Sequence, residues 1–200
     1  MAIDTIIHVI DDDAAVRDSV AFLLGTADLT ARTYESALAF LATADRPAGC
    51  IVTDVRMPDM TGLELARRLR DSGSGEPVIV ITGHADVPLA IEAMRAGVAD
   101  FIEKPFDDEA LLTSIRRLLD QANRASLAEA ERREISARLD SLSARERDIV
   151  NGLIKGQANK VIAFDLGISP RTVEVYRANA MTKMQAGSLS ELVRMVMSTD

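Results

Sequence analysis

Apolar residues in the first 120 positions occur in two alternating patterns, short continuous runs and helical spacings. Runs rich in β-branched residues are typical of strands buried on both faces of a parallel sheet. They lie at Ile6–Ile10, Cys50–Thr53, Val78–Ile81 and Phe101–Ile102, with Thr30–Thr33 as a candidate edge strand. Helical spacing fills the intervals near residues 14–25, 35–44, 62–72 and 87–96. This alternation predicts an α/β fold, a doubly wound domain with a five-stranded parallel sheet.

The pattern changes after Pro105, because neither proline nor glycine occurs again before Gly152. Apolar residues in this stretch follow a heptad-like seam, formed by Leu111, Ile115, Leu118, Ala122 and Ala125 and resumed by Ile135, Leu139 and Leu142. Such spacing predicts a helix that leaves the α/β domain and continues as a helical linker. For residues 107–120 we expect the seam to pack on the sheet. For residues 123–139 that packing and a linker role are both open.

Residues 141–200 contain the start and stop signals of four short helices. Ser143 and Glu146 have the spacing of a capping box that opens the first. The later signals are Asn159–Leu166 ending at Gly167, Ser169-Pro170 opening a helix to about Met184, and Ser188 opening the last. Two helices separated by Gly-Ile-Ser are typical of a helix-turn-helix motif. We therefore predict an α/β domain at 1–121, a helical linker at 122–140 and a small all-α four-helix helix-turn-helix domain at 141–200.

The net charge of −8 is unevenly distributed over the 200 residues. Residues 1–120 hold 11 Lys and Arg against 21 Asp and Glu, whereas residues 141–200 hold 8 against 6. A mildly basic last part joined to an acidic first part leaves DNA binding by the last part open.

Composition excludes several classes of protein. Cys50 is the single cysteine, which excludes a disulfide scaffold and a zinc finger. No uncharged apolar run approaches the roughly 20 residues of a membrane span, and the acidic N-terminus lacks the basic region of a signal peptide. We therefore expect a cytoplasmic protein that does not contact a membrane.

Acidic side chains follow two strands that are neighbours in a doubly wound sheet. Asp11, Asp12 and Asp13 come directly after the first strand, and Asp54 ends the third. Carboxylates that converge repel one another, and a divalent cation with oxygen ligands, such as Mg²⁺, relieves that repulsion. The alternative is that Asp11–Asp13 forms a solvated turn whose last member caps the next helix.

Two more polar residues stand at strand ends, Thr82 in Ile-Thr-Gly and Lys104 in Glu-Lys-Pro-Phe. A nucleophilic carboxylate, a cation site, a hydroxyl and a lysine are the groups that phosphoryl transfer to an aspartate needs. Thr82 alone could equally cap the following turn. Together, the four features predict a phosphoacceptor site.

The motifs Val-Ile-Asp-Asp-Asp, Thr-Asp54-Val-Arg-Met-Pro-Asp-Met-Thr-Gly62, Ile-Thr82-Gly and Glu-Lys104-Pro-Phe resemble the receiver domain of two-component response regulators. The resemblance implies that Asp54 accepts phosphate from a sensor histidine kinase. It also implies that Asp12, Asp54 and the main-chain carbonyl of Arg56 bind Mg²⁺, with Asp11 helping through water. Lys104 would contact the phosphoryl group, and its bond to Pro105 would be cis. Phe101 would be the aromatic switch residue. A core role for Phe101 fits the bare sequence equally well.

Residues Leu142–Met197 resemble the LuxR/FixJ-type helix-turn-helix, through Leu-Ser-Ala-Arg-Glu146, Asn159-Lys-Val-Ile-Ala and Ser169-Pro-Arg-Thr-Val-Glu-Val-Tyr-Arg177. Helical spacing directs Val173, Tyr176, Ala180 and Met184 to the core. It directs Arg171, Glu174, Val175 and Ala178 outward, toward a major groove of double-stranded DNA. Lys160, Thr172 and Arg177 are better placed for phosphates than for bases. For any single one of these residues, a solvated surface is the alternative.

Both halves together resemble the FixJ-type response regulators. That resemblance implies an activator that works with RNA polymerase on microaerobic or nitrogen-fixation-type genes, under a kinase that can be a haem-based oxygen sensor. A regulator of the same architecture that serves another signal is the alternative. A haloacid-dehalogenase-like phosphotransferase needs a second acid where Arg56 stands, so we predict that the chain is not an enzyme. The remaining alternative is a DNA-binding protein that works without phosphorylation.

We expect phosphorylation to produce a homodimer, because one weakly basic domain should hold DNA poorly and two domains on neighbouring half-sites should hold it far better. The predicted contacts lie on helix 87–96 and the strand that follows it: Val87, Ile91, Arg95 and Asp100. Arg95 and Asp100 could pair across a two-fold axis.

The remaining conspicuous residues have simpler interpretations. His8 and Cys50 lie in strands and are expected in the core. His84 follows Thr82 and is expected on a surface loop, with a tuning role near the site as the alternative. The methionines of the last two helices are also expected to be core residues: Met181, Met184, Met195 and Met197.

Overall fold

The computed structural model describes residues 5–44, 46–83 and 86–198, so His84 lies outside the described residues. The chain divides into two compact units, with the division between Arg124 and Ala125. The first contains five strands and the helices between them: β1 (Ile6–Ile10), α1 (Ala14–Thr26), β2 (Thr30–Tyr34), α2 (Ala37–Ala42), β3 (Gly49–Asp54), α3 (Gly62–Asp71), β4 (Val78–Thr82), α4 (Val87–Ala96), β5 (Asp100–Glu103) and the start of α5 (Asp108–Asp140).

The five strands are parallel and lie in the order β2-β1-β3-β4-β5. This confirms the predicted doubly wound sheet, with the candidate strand at Thr30–Thr33 at an edge. Ile10 pairs with Thr53, and Asp54 pairs with Ile81, so the carboxyl ends of β1, β3 and β4 lie at one edge of the sheet. A site at this edge agrees with the rule for open α/β sheets.

Caps at the helix starts explain where the helices begin. The side chain of Asp13 accepts a hydrogen bond from the backbone N–H of Ala15, and Thr61 forms a capping box with Glu64. Helix α2 is shorter than predicted because Ser36 caps it and Thr43 already has extended backbone angles. Gly97 ends α4 with φ 85°, a left-handed conformation that glycine adopts without strain.

The core of this unit has one layer on each face of the sheet. On one face, Phe40 of α2 and Leu65 of α3 pack with residues of β3 and β4. On the other, Leu24 of α1 and Ile115 of α5 pack with β1 and β3. The seam over residues 107–120 therefore packs on the sheet as expected.

The second unit contains the end of α5 and four further helices: α6 (Ala144–Ile154), α7 (Asn159–Leu166), α8 (Pro170–Met184) and α9 (Leu189–Met197). All the predicted caps are present, including the capping box of Ser143 with Glu146 and the left-handed Gly167. Ile135 is buried in the core of this unit and Leu139 packs against it, whereas Leu127 is 71% exposed. The end of the predicted linker therefore takes part in the folding of the second unit.

Most of the core predictions outside the sites are confirmed. His8 is buried, and its ring nitrogens lie 3.1 Å from the Tyr34 hydroxyl and 2.9 Å from the Pro47 carbonyl oxygen. Cys50 is buried, and the burial raises the pKa of its thiol to about 12. The prediction for Met197 is wrong, because this residue is 67% exposed and does not belong to the core. It occupies the last position of α9, and within residues 5–44, 46–83 and 86–198 no later helix covers it.

Candidate phosphoacceptor site and DNA-contacting face

A lysine bridges two carboxylates at the carboxyl edge of the sheet. Lys104 Nζ lies 2.7 Å from Asp54 Oδ1 and 3.0 Å from Asp11 Oδ2. Asp11 and Asp54 are neighbours because β1 pairs with β3, and Lys104 follows β5. Both carboxylates are largely buried, with side-chain exposures of 7% and 12%. The structure thus brings together three residues that lie far apart in the sequence.

Backbone N–H groups fix the orientation of both carboxylates. Asp11 Oδ1 accepts a hydrogen bond of 2.9 Å from the N–H of Asp13, and Asp54 Oδ2 accepts one of 2.6 Å from the N–H of Arg56. The opposite oxygen of each carboxylate is the one that faces Lys104. Each carboxylate is therefore held between a backbone donor and an ammonium group.

Burial alone would lower the pKa of Lys104, but its hydrogen bonds to Asp54 and Asp11 outweigh burial and raise that pKa. The ammonium group is therefore charged at neutral pH. It compensates one of the two carboxylate charges, which leaves the pair with a net negative charge that can attract a cation.

The donors at this edge suit a hard cation. Asp11, Asp54 and the carbonyl of Arg56 supply oxygen, which Mg²⁺ prefers, and two carboxylates leave room for water ligands. Asp12 is exposed to solvent beside them. Among the described residues, no three His, Cys, Asp or Glu side chains are grouped as a ready cation cage. The residues present fit Mg²⁺ by their chemistry and their net charge.

Two residues near the site have a role that the sequence analysis does not assign, although Gly62 stands in the receiver motif. Arg17 Nη1 of α1 donates a hydrogen bond of 2.6 Å to the main-chain carbonyl of Asp11 and so ties the acidic loop to the helix. Gly62 is required because a Cβ there would lie 2.2 Å from the Asp54 carbonyl oxygen. The Thr-Gly pair in the motif was a signal for Gly62. Arg17 gave no signal, because a long side chain can reach many partners.

Thr82 lies in β4 and Phe101 lies in β5, the two strands that follow β3 and its Asp54 in the order of the sheet. Thr82 ends β4 and is only 2% exposed, so its hydroxyl is already inside the protein. Its carbonyl accepts a hydrogen bond of 2.7 Å from the N–H of Lys104, and the bond from Lys104 to Pro105 is cis. Phe101 is half-buried and packs against the core beneath α4. Both the switch role and the core role of Phe101 fit this position.

The surface predicted for dimerisation is partly apolar and open. Val87 and Ile91 are 73% and 46% exposed, and Met94 continues their stripe along α4 at 78%. Sequence reasoning missed Met94, although its spacing of three residues from Ile91 is a helical signal. Arg95 is exposed.

Asp100, the fourth residue predicted on this surface, already has intramolecular partners. Its carboxylate accepts hydrogen bonds from the Ser114 hydroxyl and, at 2.7 Å, from Arg117. Burial opposes ionisation, but these bonds and the N–H of Phe101 lower its pKa. Arg95 of a second copy would meet a carboxylate that already has partners, so it would compete with Arg117 or share the carboxylate with it.

The faces of α8 agree with the helical spacing. The inward residues Val173, Ala180 and Met184 are fully buried, and Tyr176 is half-buried. The outward residues are all exposed: Arg171, Glu174, Val175 and Ala178. Of the residues predicted for phosphates, Lys160 is exposed, whereas Thr172 and Arg177 are half-buried. The Thr172 hydroxyl lies 2.8 Å from that of Ser169 at the start of the helix.

Comparison with known families assigns both units. The family model of the response regulator receiver domain matches residues 7–116. The model of the bacterial regulatory proteins of the luxR family matches residues 140–196. The chain therefore belongs to the two-component response regulators and joins a receiver to a LuxR-family DNA-binding domain. A receiver implies a histidine kinase as partner, and the second domain implies DNA binding.

Individual relatives place the chain more narrowly. It is 56% identical over 192 residues to the transcriptional regulatory protein FixJ of Azorhizobium caulinodans, which covers 96% of this chain and 91% of that protein. FixJ of Bradyrhizobium diazoefficiens is 53% identical over 192 residues, 96% of this chain and 94% of that one.

Solved structures agree with this placement. Full-length FixJ from B. japonicum matches with a TM-score of 0.62 and 52% identity, over 98% of this chain and 97% of that one. The response regulator StyR matches with a TM-score of 0.85 and 36% identity, over 96% and 98%.

The chain is thus a FixJ-type transcriptional response regulator. Its relatives are named as regulators and not as enzymes, in agreement with the prediction from the sequence. In the parts of the chain that the structure describes, every helix is too short or too polar to cross a bilayer.

Proposed function

We propose that Asp54 accepts a phosphoryl group from the histidine kinase, with Lys104 and Thr82 as the protein groups that engage it. The observation that supports this is the contact of 2.7 Å between Lys104 Nζ and Asp54 Oδ1 at the carboxyl edge of the sheet. Asp54 Oδ2, held by the N–H of Arg56, keeps the carboxylate in a fixed orientation. A fixed nucleophile beside a cation is what phosphoryl transfer requires.

An oxygen of Asp54 attacks the phosphorus of the phosphohistidine, the P–N bond breaks, and the imidazole leaves with its electron pair. Lys104 then shares its charge with the phosphoryl oxygens in place of the carboxylate. When bound, Mg²⁺ would act as a Lewis acid and neutralise the negative charge of the phosphoryl oxygens. Asp11, Asp12, Asp54 and the carbonyl of Arg56 are the groups that would hold it.

Incubation with acetyl phosphate and Mg²⁺, followed by intact mass measurement, tests this assignment. We expect the wild type and Asp59→Asn to be phosphorylated, because Asp59 is an exposed acid outside the site. We expect no phosphorylation of Asp54→Asn and roughly hundredfold slower phosphorylation of Lys104→Met, since a preorganised charge is removed. A phosphorylated Asp54→Asn would refute the assignment.

We also propose that phosphorylation produces a homodimer through α4, with Val87 and Ile91 as apolar contacts and Arg95 and Asp100 at its edge. Thr82 is buried at the end of β4, directly after Ile81, the strand partner of Asp54, and Phe101 lies on the adjacent strand. An apolar stripe that is 46–78% exposed supports an interface there.

Light scattering of the protein with Mg²⁺ and beryllofluoride measures whether the dimer forms. The wild type and Leu127→Asp are expected to change from monomer to dimer, because Leu127 is an exposed apolar residue elsewhere, on α5. Ile91→Asp is expected to remain monomeric, since two carboxylates would be buried in the interface. A fully dimeric Ile91→Asp would place the interface elsewhere.

We propose that the DNA-binding domain reads bases with the outward residues of α8: Arg171, Glu174, Val175 and Ala178. Its contacts to the DNA phosphates would come from Lys160, Thr172 and Arg177. The dimer would then recruit RNA polymerase in the cytoplasm, where its DNA lies. The name FixJ of the relatives supports target genes of the microaerobic or nitrogen-fixation type. We propose a haem-based oxygen sensor as the kinase. The division into a receiver at 1–121, a linker at 122–140 and a DNA-binding domain at 141–200 remains part of this proposal, with Ile135 and Leu139 of the linker packed on the DNA-binding domain.

Two rival functions make different predictions. A regulator for another signal would be phosphorylated in the same way but by a kinase without haem. A DNA-binding protein that ignores phosphorylation would bind DNA equally as Asp54→Asn and as beryllofluoride-treated wild type. The intact contacts of Lys104 with Asp54 and Asp11 disfavour the second.

A further inference from the structure

The last turn of α8 is anchored by an arginine that lies outside the helix-turn-helix. Arg138 Nη1, near the end of α5, donates a hydrogen bond of 3.2 Å to the main-chain carbonyl of Met184. Met184 is the last residue of α8 and is fully buried, and Gln185 ends the helix with φ 54°. A cation at this position compensates the unpaired carbonyls and the negative end of the helix dipole.

The guanidinium group itself is held in place. Its Nη2 donates a hydrogen bond of 2.5 Å to Glu134 Oε1, one turn earlier on α5, and the side chain is only 20% exposed. The residues on either side of this turn, Ile135 and Leu139, pack in the core of the unit. Arg138 is therefore a fixed anchor and not a mobile surface cation.

A second contact holds the same turn from α6. Lys183 Nζ lies 2.7 Å from Glu146 Oε2 and 3.4 Å from the Ser141 carbonyl oxygen. The hydrogen bond from Lys183 lowers the pKa of Glu146 to about 2, so the pair is charged at neutral pH. Arg138 and Lys183 together fix the end of α8 against α5 and α6, while the start of α8 is fixed by the Ser169 cap.

We propose that Arg138 is a positioning residue for the recognition helix: it sets the orientation of α8 through the Met184 carbonyl and so controls sequence-specific DNA binding without contacting DNA. Base contacts need donors and acceptors placed within about 0.5 Å, so a small rotation of α8 costs discrimination. Phosphate contacts tolerate such a rotation better. The proposal rests on the role of α8 as recognition helix given above.

The test uses the full chain with Mg²⁺ and beryllofluoride and two DNA probes. One is a duplex that the wild type selects from a random pool, and the other is its scrambled sequence. Arg138→Met keeps the apolar stem and removes the donor, and Arg138→Lys restores a cation. Arg133→Met is the matched control, because Arg133 forms the equivalent pair with Glu129 one turn earlier but is 78% exposed.

We expect Arg138→Met to bind the selected duplex about tenfold more weakly and the scrambled duplex as the wild type does, because one charge-assisted hydrogen bond is lost. Arg138→Lys should recover most of the wild-type ratio of affinities for the selected and the scrambled duplex, and Arg133→Met should keep all of that ratio. The proposal is overturned if Arg138→Met keeps the wild-type ratio. It is also overturned if both affinities fall by the same factor, as expected from a smaller folded fraction.

A separate variant tests the role on which this inference rests. Val175→Glu places a carboxylate on the outward face of α8, and it should abolish the preference for the selected duplex. If Val175→Glu has no effect, α8 is not the recognition helix and the proposed DNA face fails. If Val175→Glu has the expected effect and Arg138→Met has none, only the positioning role fails.

Discussion

Burial determines the charge state of His8, the buried histidine of β1. Desolvation is the largest influence on its ring and lowers its pKa below the ordinary value, against the opposing influence of the Pro47 carbonyl. Nε2 donates to the Pro47 carbonyl oxygen and Nδ1 accepts from the Tyr34 hydroxyl, so a proton added to Nδ1 would force that hydroxyl to turn from donor to acceptor. His8 therefore stabilises the receiver only while it is neutral.

We expect the free energy of unfolding of the receiver to fall as pH falls below about 6.5, the ordinary pKa of histidine. The unfolded state binds more protons than the folded state there, so the loss is at most about 1.4 kcal/mol per pH unit and ends below the folded-state pKa. Urea unfolding followed by circular dichroism between pH 7.5 and 5.5 measures it. In His8→Leu the slope should be much smaller, and an equal slope in both proteins would assign the effect to other groups.

At the scale of residues, the sequence predicts the site better than its surroundings. Asp11, Asp54 and Lys104 are recognisable because each ends a strand or directly follows one, and parallel strands end at one edge of a sheet. The contacts of Arg17, Arg117 and Arg138 are not recognisable, because long charged side chains have many possible partners. Their contacts depend on the distance between elements, which hydrophobic spacing does not specify.

At the scale of elements, α5 has a different role in each part of its length. Leu111, Ile115 and Leu118 belong to the core of the receiver, and Ile135 and Leu139 belong to the second unit. The sequence predicts the helix itself, because neither glycine nor proline interrupts residues 106–151. It leaves open whether residues 123–139 pack on a core, since the same seam suits a linker and a packed helix.

Replacement of Ile135 by alanine tests whether the end of α5 belongs to the fold of the DNA-binding unit. Ile135 is 5% exposed, so we expect Ile135→Ala to destabilise that unit by about 2–5 kcal/mol. Leu127 is 71% exposed on the same helix, and Leu127→Ala should change stability by less than about 0.5 kcal/mol. Calorimetry of the full chain measures both. Equal stability of the two variants would return residues 125–140 to a linker role.

At the scale of the whole molecule, the receiver and the DNA-binding part of the chain differ in the sign of their net charge. Residues 1–120 carry 10 more acidic than basic residues, and residues 141–200 carry two more basic than acidic ones. A chain of this charge has little general affinity for DNA, because repulsion by the acidic part offsets attraction by the basic part. We therefore expect specific binding to depend on a few cations and on the proposed joint binding of two copies.

The salt dependence of binding to a selected duplex measures how many cations take part. Lys160 and Arg177 are the two proposed phosphate contacts with positive charge, so one domain should give a slope of log K against log salt of about −2, and a dimer about −4. Lys160→Gln should reduce the dimer slope by about two, whereas Arg133→Gln on α5 should leave it unchanged. An unchanged slope in Lys160→Gln would remove the start of α7 from the interface. A slope near −2 for the beryllofluoride-treated wild type would mean that one domain binds at a time, so phosphorylation would have to act on that domain and not through the pairing of two copies.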